Sequence, residues 1–331
     1  MISDVGILGL GKAVPNRILT NADLEAMVDT SDEWITARTG IKQRYIADPE
    51  IAASDLGYEA ALQALAAAGV KADELDLIIA ATTTPDMPFP ATACIIQDRL
   101  KAKGAAAFDL AAACSGFIYG LEVGRTMVKA GYQRVLVIGV DVISRLIDYS
   151  DRSTCVLFGD GAGAAVLGPV ETGYGIIASE IGADGSGAGL LHVPAGGSRM
   201  PAQLETIENK SHYVKMSGSE VFKFAVRVIC DSSNRVLEKA GTACSEVSWF
   251  VPHQANVRII KAAADRLNID RERIYVNVDR YGNTSAASIP IALTELDEAG
   301  QLNSGDLVLL VGFGAGLTWG SALVRWGGMI L

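Results

Sequence analysis

The chain has 331 residues, half of them hydrophobic and 20% charged, with 35 glycines and a formal net charge of −10. This is enough apolar sequence for a large core spread over two domains or halves, and the negative balance argues against nucleic acid as a partner. No apolar run reaches the roughly 18 residues of a spanning helix, and the Met1-Ile2-Ser3-Asp4 start has no basic stretch, so no membrane span or secretory signal is expected and the protein is placed in the cytoplasm. Five scattered cysteines (Cys94, Cys114, Cys155, Cys230, Cys244) without a C-x-x-C pair read as reduced thiols, not disulfides or metal ligands.

In chain order, a helix ending at Ala68-Gly69 leads to the strand Leu75–Ala81. A second strand, around Phe108-Asp109-Leu110, runs into Ala111-Ala112-Ala113-Cys114, and a helix opens at Ser115-Gly116 and ends at Ala130-Gly131. A thiol at a helix N-terminus is favoured as thiolate, and the alanines leave room around it. The buried strand Val135–Gly139 follows. Gly159-Asp160-Gly161-Ala162-Gly163-Ala164 fits a dinucleotide fingerprint, but Ala165–Pro169 continues as a strand, so no helix N-terminus is available for a pyrophosphate and NAD is rejected. The stretch Leu191–Ser219 reads as a long loop, with His192 and His212 solvated. Beyond it come a helix ending at Ala240-Gly241, the strand Val247–His253, a helix start after His253, the turn Tyr281-Gly282-Asn283-Thr284-Ser285, a helix ending at Ala299-Gly300, the strand Leu307–Gly312 and a final glycine loop to Gly320.

The halves repeat. Ala81 lies 12 residues past Gly69 and His253 12 past Gly241; Gly131 lies 17 past Cys114 and Gly300 17 past Asn283. The spacing predicts two α/β units, 1–172 and 173–331, each holding a mainly parallel sheet. Ligands of such sheets bind beyond strand C-termini, so Cys114, His253 and Asn283 are expected where the halves meet. A thiol with two neutral hydrogen-bonding groups can carry an acyl group on sulfur and stabilise an oxyanion beside it.

These motifs, with Thr30–Ile35, Arg38–Ile41, Phe158–Ala162, Glu220–Lys223 and Pro252–Asn256, resemble the β-ketoacyl-[acyl-carrier-protein] synthase III family of the thiolase superfamily. The resemblance spans the chain. It implies a five-layered αβαβα fold, a homodimer, and the first condensation of fatty-acid synthesis, with acyl-CoA and malonyl-[acyl-carrier protein] as substrates and no metal or cofactor. It assigns Cys114 as nucleophile, His253 and Asn283 to the malonyl thioester, and the backbone N–H groups of Cys114 and Ala315 to the oxyanion hole. Trp34 and Arg152 would enclose the adenine, with Thr30 and Arg38 on the same path. Phe222, Ala255 and Asn256 would line the pantetheine tunnel, and Phe89 would reach the acyl pocket of the partner subunit. Arg258, Lys223, Lys261 and Arg266 are candidates for docking the carrier protein.

The chain departs from the family at Ser219, where some relatives carry Asn, at Ala315, which replaces a glycine, and in the longer Leu191–Ser219 stretch. Thiolases need a second cysteine near the C-terminus, and none follows Cys244. A condensing enzyme of specialised metabolism, a hydroxymethylglutaryl-CoA-synthase-like enzyme, a papain-like hydrolase (also Cys, His, Asn in order) and an inactive scaffold are the alternatives.

Overall fold

The computed structural model describes residues 4–329. Its first sheet has five strands in the spatial order Asp4–Ala13, Gly161–Val170, Val135–Asp141, Leu77–Ala81, Ala106–Leu110. Its second has four, in the order Trp249–Pro252, Leu307–Gly314, Thr318–Arg325, Gly175–Ala183. All strands of the first sheet lie between Asp4 and Val170 and all strands of the second between Gly175 and Arg325, while Arg17–Thr20 with Gln43–Ile46 and Leu191–His192 with Lys215–Met216 form separate two-stranded ribbons.

The sheets are mixed, where the sequence suggested mainly parallel ones. Leu77–Ala81 is parallel to both of its neighbours, and Trp249–Pro252 is parallel to Leu307–Gly314, but the other pairings are antiparallel. Parallel neighbours need a long crossover. The links after Asp141 and Gly314 hold no long helix, so the chain returns antiparallel. The Gly159–Ala164 run enters the strand Gly161–Val170, so no helix opens after these glycines.

Five layers result. Helices Ala53–Ala68 and Thr92–Leu100 cover the outer face of the first sheet through one apolar cluster. Helices Gly218–Ala240 and Val257–Leu267 cover the outer face of the second through another. Between the sheets lie Gly116–Lys129 and Ser288–Glu298, whose Phe117, Leu121, Ile289 and Leu293 share a cluster with strand residues of both halves.

The central helix after Cys114 is seated close to the sheet by a glycine stripe. Gly116, Gly120 and Gly124 recur every four residues on one helical face. A Cβ on Gly120 would lie 2.6 Å from Val137 Cγ1, and one on Gly124 2.8 Å from Leu167 Cδ1. Backbone and sheet therefore meet almost directly, which fixes the depth of the cysteine turn.

The duplication is real but unequal. The 106–110 strand beside Leu77–Ala81 has as its counterpart only the single bridge Phe250–Ile274. The helix Gly116–Lys129 has 14 residues, and Ser288–Glu298 has 11. Counted back from the helix starts, Cys114 matches Ala286, not Asn283. The equal 17-residue spacings arise because the second helix is shorter and its leading turn longer.

Candidate active site

Cys114 lies in a tight turn, Ala113–Ser115, ahead of Gly116–Lys129. The corresponding turn of the other half is Ser285–Ala287, ahead of Ser288–Glu298. Each turn opens on a non-glycine residue in the left-handed region, Ala113 at φ 47° and Ser285 at φ 52°. Such conformations cost on the order of 1–3 kcal/mol and persist only where the surroundings enforce them. Here each turn is pressed against a strand of the opposite half. A Cβ on Gly139 would fall 2.3 Å from the Ala286 carbonyl oxygen, and one on Gly314 2.6 Å from the Cys114 nitrogen. Gly312 and Gly314 are thus strand residues that let the cysteine turn approach, and only Ala315–Leu317 belongs to the terminal loop expected from the glycine run.

The two turns meet at Cys114, whose Sγ lies 3.5 Å from Ser285 Oγ. Cys114 is 8% exposed. Burial pushes it up to about 12; the Ser285 hydrogen bond opposes this, and the charge of Asp141 adds to it. The resting group is therefore the thiol, not the thiolate expected from the helix start. Loss of hydration disfavours the charged form in this pocket.

His253 follows the strand Trp249–Pro252, its N–H bonded to the Val311 carbonyl at 2.8 Å. It is 1% exposed, with Nδ1 2.7 Å from Ser288 Oγ and its ring edge-on to Phe313 at 5.4 Å. Burial lowers its pKa to about 3, so the imidazole is neutral at ordinary pH. Asn283 is no helix cap. Its Oδ1 accepts the Ser285 N–H at 2.9 Å, its carbonyl accepts the Gly159 N–H, and its own N–H bonds Leu157. The approach to Asn283 is fastened by Glu295, which accepts from Asn277, Arg280 and Tyr281. Tyr275 O–H donates to it as well.

Cys114, His253 and Asn283 all line one cavity of about 270 Å³, as the sequence expected. Phe222, Ala255, Asn256, Trp34, Arg38 and Arg258 line the same cavity toward the surface. Asn256 caps Val257–Leu267 and donates from Nδ2 to the Arg38 carbonyl at 3.0 Å, joining the two sides of the entrance. Arg152 is outside the lining, but its guanidinium carbon stands 4.9 Å from the Trp34 ring centroid, with that of Arg38 at 5.1 Å. Thr30 does not line the cavity, and its buried hydroxyl has no partner among the described residues.

A second cavity of about 400 Å³ opens on the other side of Cys114. Ala315 lines it, with Thr83, Ile143, Leu146, Phe158 and Ser285. The long 191–219 stretch is part of this wall. It carries a two-residue ribbon, Leu191–His192 with Lys215–Met216, and a short helix, Leu204–Glu208. His192 is exposed at the cavity rim, while His212 is half-buried and bonded to Thr206 rather than solvated. Phe89 is 83% exposed and lines neither cavity of its own chain.

The four basic candidates do not form one face. Arg258 and Lys261 share a face of Val257–Leu267, on which Asp265 also falls, and Arg266 is turned away from them by the helical period. Lys223 is paired with Glu220 at 2.9 Å beside a different depression. Ser285 and Ser288 are contacts that sequence reasoning missed. Their three-residue spacing in the Asn283 motif was the available signal.

Models of the two parts of 3-oxoacyl-[acyl-carrier-protein] synthase III match residues 108–185 and, for its C-terminal part, 237–326. The β-ketoacyl-[acyl-carrier-protein] synthase III of Caldanaerobacter subterraneus is 56% identical over 322 residues, covering 97% of each chain. That of Symbiobacterium thermophilum is 57% identical over 327 residues, covering 98% of this chain and 99% of the relative. The crystal structure of 3-oxoacyl-[acyl-carrier-protein] synthase III from Aquifex aeolicus superposes with a TM-score of 0.91 at 50% identity, covering 97% of this chain and 100% of that one. With nearly full-length matches on both sequence and fold, the chain belongs to the β-ketoacyl-[acyl-carrier-protein] synthase III family of condensing acyltransferases.

Proposed function

We propose that this enzyme joins a short acyl group from acyl-CoA, with acetyl as the first choice, to malonyl-[acyl-carrier protein]. The product is a 3-oxoacyl-[acyl-carrier protein] that starts a fatty acid. The observation that carries the reading is the convergence of Cys114, His253 and Asn283 on one buried cavity, with a second cavity opening behind the thiol.

In the first half-reaction the Cys114 sulfur attacks the acyl-CoA carbonyl carbon. Coenzyme A leaves and carries away the proton that the thiol gives up. The N–H groups of Cys114 and Ala315 hold the oxyanion. In the second, the malonyl carboxylate leaves as carbon dioxide, and its bonding electrons pass into an enolate whose oxygen is held by His253 and Asn283. The enolate carbon attacks the acyl-cysteine carbonyl, and the sulfur departs and is reprotonated. A neutral imidazole suits this role, since it donates without bringing a permanent charge into a dry site.

Acyl-CoA would enter past Trp34, Arg38 and Arg152, with Thr30 nearby. Its pantetheine would run along Phe222, Ala255 and Asn256, and its acyl group would enter the second cavity. Phe89, exposed on each subunit, would close the acyl cavity of the partner in a homodimer. Arg258 is the foremost contact for the carrier protein, ahead of Lys261, Lys223 and Arg266. No metal or other cofactor has a part in this scheme, and the enzyme would work in the cytoplasm. Neither cavity is lined by a carboxylate among the described residues, which speaks against a glutamate-assisted hydroxymethylglutaryl-CoA-type condensation.

The test is a panel of acyl-CoA primers with malonyl-[acyl-carrier protein], products identified by mass, beside single half-reactions. His253→Ala and Asn283→Ala should lose decarboxylation by on the order of 100- to 1000-fold and cysteine acylation far less. Cys114→Ala should form no acyl-enzyme. Hydrolysis of the thioester without condensation would refute the reading.

A further inference from the structure

Ser288 has no part in the chemistry above, yet it is the only protein group bonded to the His253 ring among the described residues. Ser288 is 2% exposed, and its hydroxyl has two polar neighbours: Nδ1 of His253 at 2.7 Å and the backbone N–H of Gln254 at 3.4 Å. A hydroxyl carries one proton and two lone pairs, and a neutral imidazole carries one proton on one of its two nitrogens.

These counts select a proton arrangement. The Gln254 N–H can only donate. If Nδ1 also carried a proton, the Ser288 oxygen would face two donors, and its own proton would be buried with no acceptor. A buried unsatisfied donor is costly. If Nδ1 is bare, Gln254 donates to Ser288, Ser288 donates to Nδ1, and every group is paired. The ring proton then lies on Nε2, the nitrogen left for the cavity that His253 lines.

We propose that Ser288 is a positioning residue that holds the His253 imidazole with its proton on Nε2, so that His253 serves the condensation as a hydrogen-bond donor and not as a base. The assignment of the reaction step rests on the functional reading above; the assignment of the tautomer rests on the hydrogen bonds alone. An Nε2–H group cannot take the Cys114 proton, so acylation must proceed without His253, and the two half-reactions separate for a structural reason. Ser288 opens the helix Ser288–Glu298 and lies five residues after Asn283, so one segment both supplies the amide and orients the imidazole.

The experiment uses full-length protein labelled with ¹⁵N in its histidines. The chain has only three, and His192→Gln and His212→Gln variants assign their signals. Wild-type His253 is expected in the Nε2–H form across the neutral range, and Ser288→Ala is expected to give a mixture of tautomers. In the same variant, decarboxylation should fall roughly 10-fold with Cys114 acylation unchanged. Ser288→Thr, which keeps the hydroxyl, should restore the tautomer. A wild-type ring protonated on Nδ1, a Ser288→Ala ring with an unchanged tautomer, or equal losses in both half-reactions would overturn the proposal. A wild-type Nε2–H ring in a protein that never decarboxylates malonyl thioester would sink the functional reading and leave the tautomer assignment standing.

Discussion

The two turns that carry the site are pressed onto strands of opposite halves, and a single methyl group can probe that contact. In Gly139→Ala the new Cβ would lie 2.3 Å from the Ala286 carbonyl oxygen and 2.8 Å from its carbon. A carbon–oxygen contact is comfortable at about 3.3 Å, so strand and turn must part by about 1 Å. Both are backbone, so no side chain can rotate to relieve the clash. Overpacking of this kind costs about 1–3 kcal/mol, enough to lower Tm by a few degrees in a chain of this size. The larger effect is on rate. The displaced turn carries Ser285 and is continuous with Asn283 and Ser288, and a misplacement of about 1 Å can cost on the order of 100-fold. Decarboxylation should fall by about that factor while the protein remains folded. Gly312→Ala is the internal control. There the added Cβ would meet Ser115 Cα at 3.3 Å and the Cys114 carbonyl oxygen at 3.4 Å, which a shift of a few tenths of an ångström relieves. Its loss should stay under about tenfold. Thermal unfolding and malonyl decarboxylation, measured on both variants, decide the matter. Parental Tm and rate in Gly139→Ala, or greater damage in Gly312→Ala, would refute the argument.

Burial holds the Cys114 thiol at about 12; because the thiolate fraction rises with pH up to that value, alkylation of Cys114 in the free enzyme should climb about tenfold per pH unit through pH 9. A plateau below pH 8 would mean that the resting group is a thiolate. Trp34→Ala and Arg152→Ala should weaken use of acyl-CoA and spare a short acyl-pantetheine thioester, since the pair, with the Arg152 guanidinium over the Trp34 ring, is expected to hold the adenine that the short donor lacks; equal effects on both donors would assign the pair a structural role. Arg258→Glu should raise KM for malonyl-[acyl-carrier protein] and leave acylation by acyl-CoA intact, with the difference shrinking as salt rises. An unchanged KM at low salt would remove Arg258 from the docking surface.

Much of the site was legible in the chain because it rests on local signals. Cys114 is announced by the alanines before it and the helix after it, and His253 by a strand end; the 17-residue spacing pointed to Asn283 only because a shorter helix and a longer turn offset each other, the positional counterpart of Cys114 being Ala286. Residues that act through a short motif stay close in sequence, so the motif itself finds them. The family resemblance supplied the rest of the cavity list, and the structure brings Phe222, Ala255, Asn256, Trp34, Arg38 and Arg258 onto one wall system while leaving Thr30 and Lys223 outside it.

The sequence by itself determined the α/β alternation, the doubled unit and the chemical types at the strand ends, since periodicity and turn residues are written locally. Tertiary structure alone decided strand direction in the sheets, because pairing depends on what connects the strands and not on their composition. It decided the protonation of the site as well. A helix N-terminus favours a thiolate in water, but the fold removes the water, and burial then sets both Cys114 and His253 to their neutral forms. It also decided which serine meets which ring nitrogen, since Ser288 and His253 are 35 residues apart and no pattern in one segment encodes a contact made by packing two.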